Sequence, residues 1–202
     1  MLFRSTSAVV DAALESGINF FDTADVYGAG QSEEFLGRAL KGRRDKVVLA
    51  TKFGIKMGEG KEGARPEYIR QALDASLQRL ETDVIDLYQI HRPDPNTPIE
   101  DTLQALNDAV KAGKVREIGC SNFSAEQIRA AQAAPGLKHF VSVQNDYSMF
   151  VRTPEAEVLP ECAASGVGFL PYFPLANGLL TGKYRKDTPL DRKSTRLNSS
   201  HT

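Results

Sequence analysis

The stretch PEYIRQALDASLQRLETDVIDLYQIHRPDPNTPIEDTLQALNDAVKA, residues 66–112, decides the fold. Apolar residues recur at helical spacing over residues 66–80, run almost without a break over residues 84–90, and return to helical spacing over residues 97–112. A buried strand between two amphipathic helices is typical of a parallel sheet that is covered by helices. His91 follows the strand directly, so an ionisable side chain lies at the carboxyl end of the strand.

The same alternation extends through the rest of the chain, and it predicts six strands and six helices in total. Two of the helix starts match the capping-box pattern, Thr97-Pro98-Ile99-Glu100 and Ser124-Ala125-Glu126-Gln127. We predict strands over residues 18–22, 46–52, 84–90, 115–120, 140–143 and 167–170, and helices over residues 7–16, 32–40, 66–80 and 97–112, from residue 124 onward and after residue 153.

A parallel sheet of this kind occurs either as an open, doubly wound sheet or as a closed barrel. An open sheet concentrates its functional residues at one switch point, whereas here every predicted strand ends on a polar side chain. This distribution favours a (β/α)8 barrel of class α/β. Because only six strands are predicted, we expect residues 1–190 to form an incomplete barrel domain that lacks the first and last strands.

Composition excludes several other classes of protein. The chain has 202 residues, 41% of them hydrophobic and 25% charged, and its net charge is −1. These values are ordinary for a globular protein and give no electrostatic reason to expect nucleic acid or a membrane surface as a partner. We expect a cytoplasmic protein with no membrane-spanning segment. We also expect Cys120, Cys162, Phe20 and Tyr88 to lie in the hydrophobic core, with both cysteines reduced. Three histidines without ligand spacing predict no metal site.

Four of the polar residues at the strand ends form a set suited to carbonyl chemistry: Asp22, Tyr27, Lys52 and His91. A phenol is a weak acid, and a neighbouring ammonium group favours its ionised form, so Lys52 should make Tyr27 a better proton donor. Asp22 would keep Lys52 charged, and His91 could bind the carbonyl oxygen. Reduction also needs a hydride, which no side chain stores, so a nicotinamide is required. Ser121, Asn122 and Gln144 could hold its carboxamide, with Tyr172 against its ring.

These residues lie in segments that resemble the aldo-keto reductase superfamily, over roughly residues 8–186. The matching segments are FDTADVYG at 21–28, TK at 51–52, LYQIH at 87–91, GCSNF at 119–123 and PLANGLLTGK at 174–183. The resemblance implies NADPH-dependent reduction of small carbonyl compounds, with Asp22, Tyr27, Lys52 and His91 as the catalytic tetrad. It also implies cofactor contacts from Ser121, Asn122, Gln144, Tyr172, Phe173, Leu175, Gly182 and Lys183. Phe173 departs from the family, which often has serine there.

The sequence also admits other interpretations. Lys52 could act as a Schiff-base nucleophile, as in a barrel aldolase. The protein could be a nicotinamide-sensing partner subunit similar to the channel-associated members of the same superfamily. The segment GEGKEG at residues 58–63 has the spacing of a dinucleotide fingerprint, but it does not directly follow a strand, so we interpret it as a loop. The oligomeric state is not predicted.

The last residues do not continue the alternation of strands and helices. The segment DRKSTRLNSSH at 191–201 resembles the translation of a common short-read sequencing adapter. We therefore expect residues 191–202 to be a non-native tail and residues 1–190 to be part of a longer protein. We also expect the 202-residue polypeptide itself to be inactive.

Overall fold

The computed structural model describes residues 2–184, and their side chains from residue 6 onward. Helices and strands alternate along this part of the chain, as the sequence predicts. The strands are β1 Phe20–Asp22, β2 Val48–Phe53, β3 Ile85–Ile90, β4 Val115–Ser121, β5 Ser142–Asp146 and β6 Gly168–Tyr172. The α-helices are α1 Leu2–Glu15, α2 Gln31–Leu40, α3 Pro66–Arg79, α4 Ile99–Lys111, α5 Ala125–Gln132 and α6 Val158–Ser165, and short 3-10 helices span Arg44–Lys46, Thr153–Glu155 and Ala176–Thr181.

The six strands form one parallel sheet in the order β1-β2-β3-β4-β5-β6, so each strand lies beside its neighbour in sequence. The sheet curls into half of a barrel with the helices outside, which confirms the α/β barrel predicted from sequence. The register aligns Lys52 with Gln89, Gln89 with Gly119 and Gly119 with Ser142. All six carboxyl ends therefore face the same rim.

The hydrophobic core lies between the sheet and its helices. Every second side chain of β2 and β3 points towards the surrounding helices. Two of these side chains, Phe53 and Tyr88, stack on each other with ring centroids 4.7 Å apart. Ile69 of α3 and Leu106 of α4, from the helical stripes predicted from sequence, are fully buried in the same core cluster. Cys120 and Cys162 are buried and form no disulfide, as predicted. Packing of this kind makes the sheet a rigid support for the rim.

Several local predictions were wrong. Thr97 does not cap α4: Pro98 is the N-cap residue, no side chain caps the helix, and the Thr97 hydroxyl instead donates to Asp94. Ser124 does form the predicted capping box with Gln127. Phe20 is not a core residue but is 39% exposed, because β1 pairs only with β2 among the described residues. The fifth strand begins at Ser142, two residues later than predicted.

Residues 191–202 lie outside the described residues, so the origin of the tail stays a prediction. Within residues 2–184, no helix combines the length and the apolar character that a membrane crossing requires.

Candidate active site

The segment after β1 brings Asp22 and Tyr27 to the same rim. Beyond Asp22 the chain continues alongside β2, since the Thr23 N–H donates to Ala50 O at 3.0 Å and the Asp25 N–H donates to Lys52 O at 3.0 Å. A tight turn follows, in which the Tyr27 N–H donates to Ala24 O at 3.2 Å. The turn carries the Tyr27 ring back over the end of β2.

Lys52 lies under this turn and is fully buried. Its ammonium group donates one hydrogen bond to Asp22 Oδ2 and a second to the Thr23 carbonyl at 3.0 Å, and it lies 5.4 Å from the centroid of the Tyr27 ring. An ammonium group has three N–H donors, so one remains for the side on which Tyr27 lies. The ion pair with Asp22 stabilises the charge that burial disfavours.

Gln89 also contacts Asp22, and sequence reasoning gave it no role. Its Nε2 donates to Asp22 Oδ1 at 3.1 Å, and the side chain is fully buried. The only sequence signal is a polar residue inside an apolar strand, two positions before His91 and therefore on the same face. The two oxygens of Asp22 are thus held by different strands, β2 and β3.

His91 completes the group from the end of β3. Its backbone N–H donates to Phe53 O at 2.8 Å, its carbonyl accepts from Asn122 Nδ2 at 3.0 Å, and its ring is largely buried. The His91 and Tyr27 rings meet edge to face, with centroids 5.8 Å apart at an interplanar angle of 84°. The structure therefore brings together the four side chains that the sequence grouped.

The electrostatics of Tyr27 differ from the expectation. Burial raises the pKa of Tyr27 to about 12, and the nearby charge of Asp22 adds to the rise, whereas we expected Lys52 to favour the ionised form. Burial also lowers the pKa of Lys52, against the opposing effect of Asp22. In this structure the phenol consequently keeps its proton at neutral pH.

A second group of polar side chains lies at the ends of the next strands and is joined to the first. The Ser121 hydroxyl donates to Gln144 O at 2.6 Å. The Asn122 amide donates to His91 O and, at 3.1 Å, to Ser121 Oγ, and its oxygen accepts from the Tyr172 hydroxyl at 2.8 Å. Asn122 thereby connects β3, β4 and β6, with its backbone in the left-handed region at φ 62°.

The segment after β6 carries the four remaining predicted contacts. Phe173 packs edge to face on Tyr172, with centroids 5.2 Å apart, and remains 42% exposed. Leu175 is also exposed, at the start of the 3-10 helix Ala176–Thr181. Lys183 folds back over this helix towards Gly178 and lies 5.0 Å from the Tyr184 ring. The structure thus places Phe173 beside the second group, while Leu175, Gly182 and Lys183 lie along the segment that leads away from it.

A buried charge beneath the tetrad was also missed from sequence. Asp25 is 1% exposed, and burial raises its pKa to about 7, with the charge of Glu33 adding to the rise. Neither carboxylate oxygen of Asp25 forms a well-directed hydrogen bond within the described residues. Glu33 is itself buried, accepting from Thr51 at 2.6 Å and from Arg79 at 2.7 Å. Residues 2–184 contain no cluster of side chains that could hold a metal ion.

Comparison with known proteins agrees with this fold. The model of the Aldo/keto reductase family matches residues 2–201. An aldo-keto reductase of Bacillus subtilis, YhdN, is 42% identical over 188 residues, which are 91% of this chain and 56% of the relative. The chain belongs to the aldo/keto reductase family.

Two solved structures show the same architecture. The glycerol dehydrogenase AKR11B4 from Gluconobacter oxydans matches with a TM-score of 0.82 and 38% identity, over 96% of this chain and 61% of that one. An aldo/keto reductase from Klebsiella pneumoniae, in complex with NADP and acetate, matches with a TM-score of 0.80 and 31% identity, over 89% of this chain and 62% of that one. The chain thus spans little more than half the length of the relatives it matches.

Proposed function

We propose that the whole protein reduces aldehydes and ketones to alcohols with NADPH, through Tyr27, Lys52, Asp22 and His91. One observation carries this proposal: a phenol, an ammonium group, a carboxylate and an imidazole meet at one rim of the barrel. Structural relatives support the cofactor, since one is a complex with NADP. The likeness to the Bacillus subtilis reductase supports the reaction class.

Each side chain has one task in this reaction. The Tyr27 phenol stays protonated at neutral pH, so its proton is available for the carbonyl oxygen. The fully buried ammonium group of Lys52 stabilises the negative charge that develops on the phenol oxygen as the proton leaves. Asp22 keeps Lys52 charged and in place, and His91 orients the carbonyl oxygen. The nicotinamide, when bound, supplies the hydride that adds to the carbonyl carbon.

The second group of side chains is suited to hold a carboxamide. Gln144 is largely buried at the end of β5, the Ser121 hydroxyl lies at the end of β4, and Tyr172 offers a half-exposed ring beyond them. Asn122 already uses its amide within the protein, so it would have to exchange the Tyr172 or Ser121 bond to bind a ligand. We therefore assign the carboxamide first to Ser121 and Gln144, and the nicotinamide ring to Tyr172.

The experiment is Tyr27→Phe in the full-length protein, measured as aldehyde-dependent loss of NADPH absorbance. We expect kcat to fall at least about 100-fold, since a positioned general acid contributes about that much. NADPH binding, followed by fluorescence quenching, should persist. Tyr147→Phe is the matched control, because Tyr147 is also half-buried but bonds Glu155 outside the site. Unchanged turnover in Tyr27→Phe would reject the proposal.

A further inference from the structure

Asp22 is held at two points, although the reaction needs only one of them. Its Oδ2 bonds the ammonium group of Lys52, which keeps that charge in place. Its Oδ1 accepts from Gln89 Nε2 at 3.1 Å. A carboxylate held through one oxygen can still rotate about its last side-chain bond, whereas two bonds in different directions fix its plane. The second bond therefore helps to fix the orientation of the carboxylate to which Lys52 is bonded.

The orientation of the Gln89 amide follows from chemistry. An ionised carboxylate has only acceptors, so the nitrogen of the amide, and not its oxygen, must face Asp22. The oxygen Oε1 is then directed elsewhere, and it is buried without a hydrogen-bond partner among the described residues. A buried polar atom without a partner lowers stability. Gln89 thus occupies a position that an apolar side chain would fill at lower cost.

The neighbouring strand makes room for this side chain. Gly119 is paired with Gln89 in the register, and a Cβ there would lie 3.1 Å from Gln89 Cγ and 2.7 Å from Ser142 Oγ. Both contacts are shorter than ordinary van der Waals distances. Only glycine at position 119 therefore leaves Gln89 free to extend beneath Asp22.

We propose that Gln89 is a positioning residue of the reductase site, which fixes the Asp22 carboxylate and through it the Lys52 ammonium group. This inference rests on the proposed function. Gln89 is fully buried beneath the four side chains, so it touches neither substrate nor cofactor and acts only through Asp22.

The first test variant is Gln89→Met in the full-length protein, because methionine has the same length and no donor. We expect kcat to fall about ten-fold, as for the loss of one hydrogen bond to a charged group, with KM and the dissociation constant of NADPH unchanged. The melting temperature should stay the same or rise, since the unpaired oxygen is removed. A slower but equally stable enzyme is the signature of positioning.

The second variant, Gln89→Glu, keeps the shape and adds a pH signature. While protonated, the introduced carboxyl group can still donate to Asp22 Oδ1, and once ionised it repels that oxygen. We expect kcat close to wild type at the acid end and a fall with rising pH where the wild type keeps its activity. Within the described residues, the other titratable groups that the structure places around Asp22 and its partners are Lys52 of β2, His91 of β3, Tyr172 of β6, and Tyr27 and Asp25 after β1.

The control variant is Ser142→Ala. The Ser142 hydroxyl is also buried and lies beside Gly119, but it forms no hydrogen bond to Asp22, Tyr27, Lys52 or His91. It should leave kcat and its pH profile unchanged. If Gln89→Met turns over like the wild type, or loses activity only in proportion to a lower melting temperature, Gln89 has no positioning role. If the wild-type protein itself reduces no carbonyl compound, the proposed function and this inference both fail.

Discussion

Asp25 is a carboxyl group whose negative charge the folded protein disfavours. Its carboxyl group is almost completely buried next to Glu33, and burial raises its pKa to about 7. The pKa of a free aspartate is about 3.8, so the folded protein binds this proton more tightly than the unfolded chain does. The stability that follows is fully present below about pH 4 and is lost as the pH rises through about 7.

We therefore expect Asp25→Asn to stabilise the full-length protein increasingly with pH. An amide does not titrate, so between pH 4 and pH 8 the variant should gain on the order of 4 kcal/mol in unfolding free energy relative to the wild type. Urea unfolding at several pH values measures this difference. Asp83→Asn, at an exposed position, controls for the loss of a carboxylate elsewhere. A difference that does not change with pH would contradict the assignment.

Individual residues also show where sequence reasoning stops. Asp22, Tyr27, Lys52 and His91 could be grouped because each lies at or just after the end of a predicted strand, and parallel strands bring those ends together. Gln89 and Asp25 lie in the same segments, but their roles depend on contacts across strands. Gln89 reaches Asp22 over 67 positions of sequence, and no local pattern signals such a pair.

At the scale of elements, the loop between β2 and α3 is fastened to the loop that follows His91. Asp94 Oδ2 accepts from the Ala64 N–H and from the Thr97 hydroxyl, both at 2.8 Å. Gly63 lies against the same carboxylate, with φ 80°, and its N–H donates to Gly54 O at 2.9 Å. These bonds hold the segment that resembled a dinucleotide fingerprint in an ordered turn beside the site.

Two alanine substitutions separate backbone strain from this contact. Gly60 and Gly63 both have positive φ, but a Cβ at Gly60 meets nothing within 4 Å, whereas one at Gly63 would lie 2.5 Å from Asp94 Oδ2. We expect Gly60→Ala to cost about 1 kcal/mol of unfolding free energy and Gly63→Ala about 1–3 kcal/mol more. Thermal unfolding of the full-length variants gives both values. Equal losses would mean that the Asp94 contact is not tight.

Element types were predictable here, but element ends were less so. Periodicity located all six strands, because their apolar runs are bounded by glycine or polar residues. β1 begins two residues later than predicted, since the Ile18 N–H is taken by Ala13 O of the preceding helix turn. Thr97 fits a capping pattern, yet Asp94 competes for its hydroxyl. Such competition depends on tertiary contacts that the local sequence does not encode.

At the scale of the whole molecule, the sheet has two edges among the described residues. β1 pairs only with β2, and β6 pairs only with β5. Phe20 and Val48, the first residues of β1 and β2, are each more than a third exposed. Unpaired strand edges next to apolar surface favour association with other chains.

We accordingly expect the 202-residue polypeptide, expressed alone, to aggregate and to oxidise no NADPH. Size-exclusion chromatography with light scattering gives its state of association, and an aldehyde-dependent NADPH assay gives its activity. The full-length protein, prepared in the same way, is the control. A monodisperse, monomeric and active polypeptide would show that the exposed edges are harmless.

The strands lie side by side in the order in which they occur in the sequence, and this arrangement has a consequence for evolution. All four members of the proposed proton-transfer apparatus come from the first three strands and their loops, up to residue 91. The side chains assigned to the nicotinamide come from the last three, beginning at residue 121. A genetic crossover within α4 would therefore exchange the side chains assigned to the nicotinamide between related enzymes, while leaving Asp22, Tyr27, Lys52 and His91 together. Such a junction must also preserve the pairing of β3 with β4 and the bond from Asn122 to the His91 carbonyl.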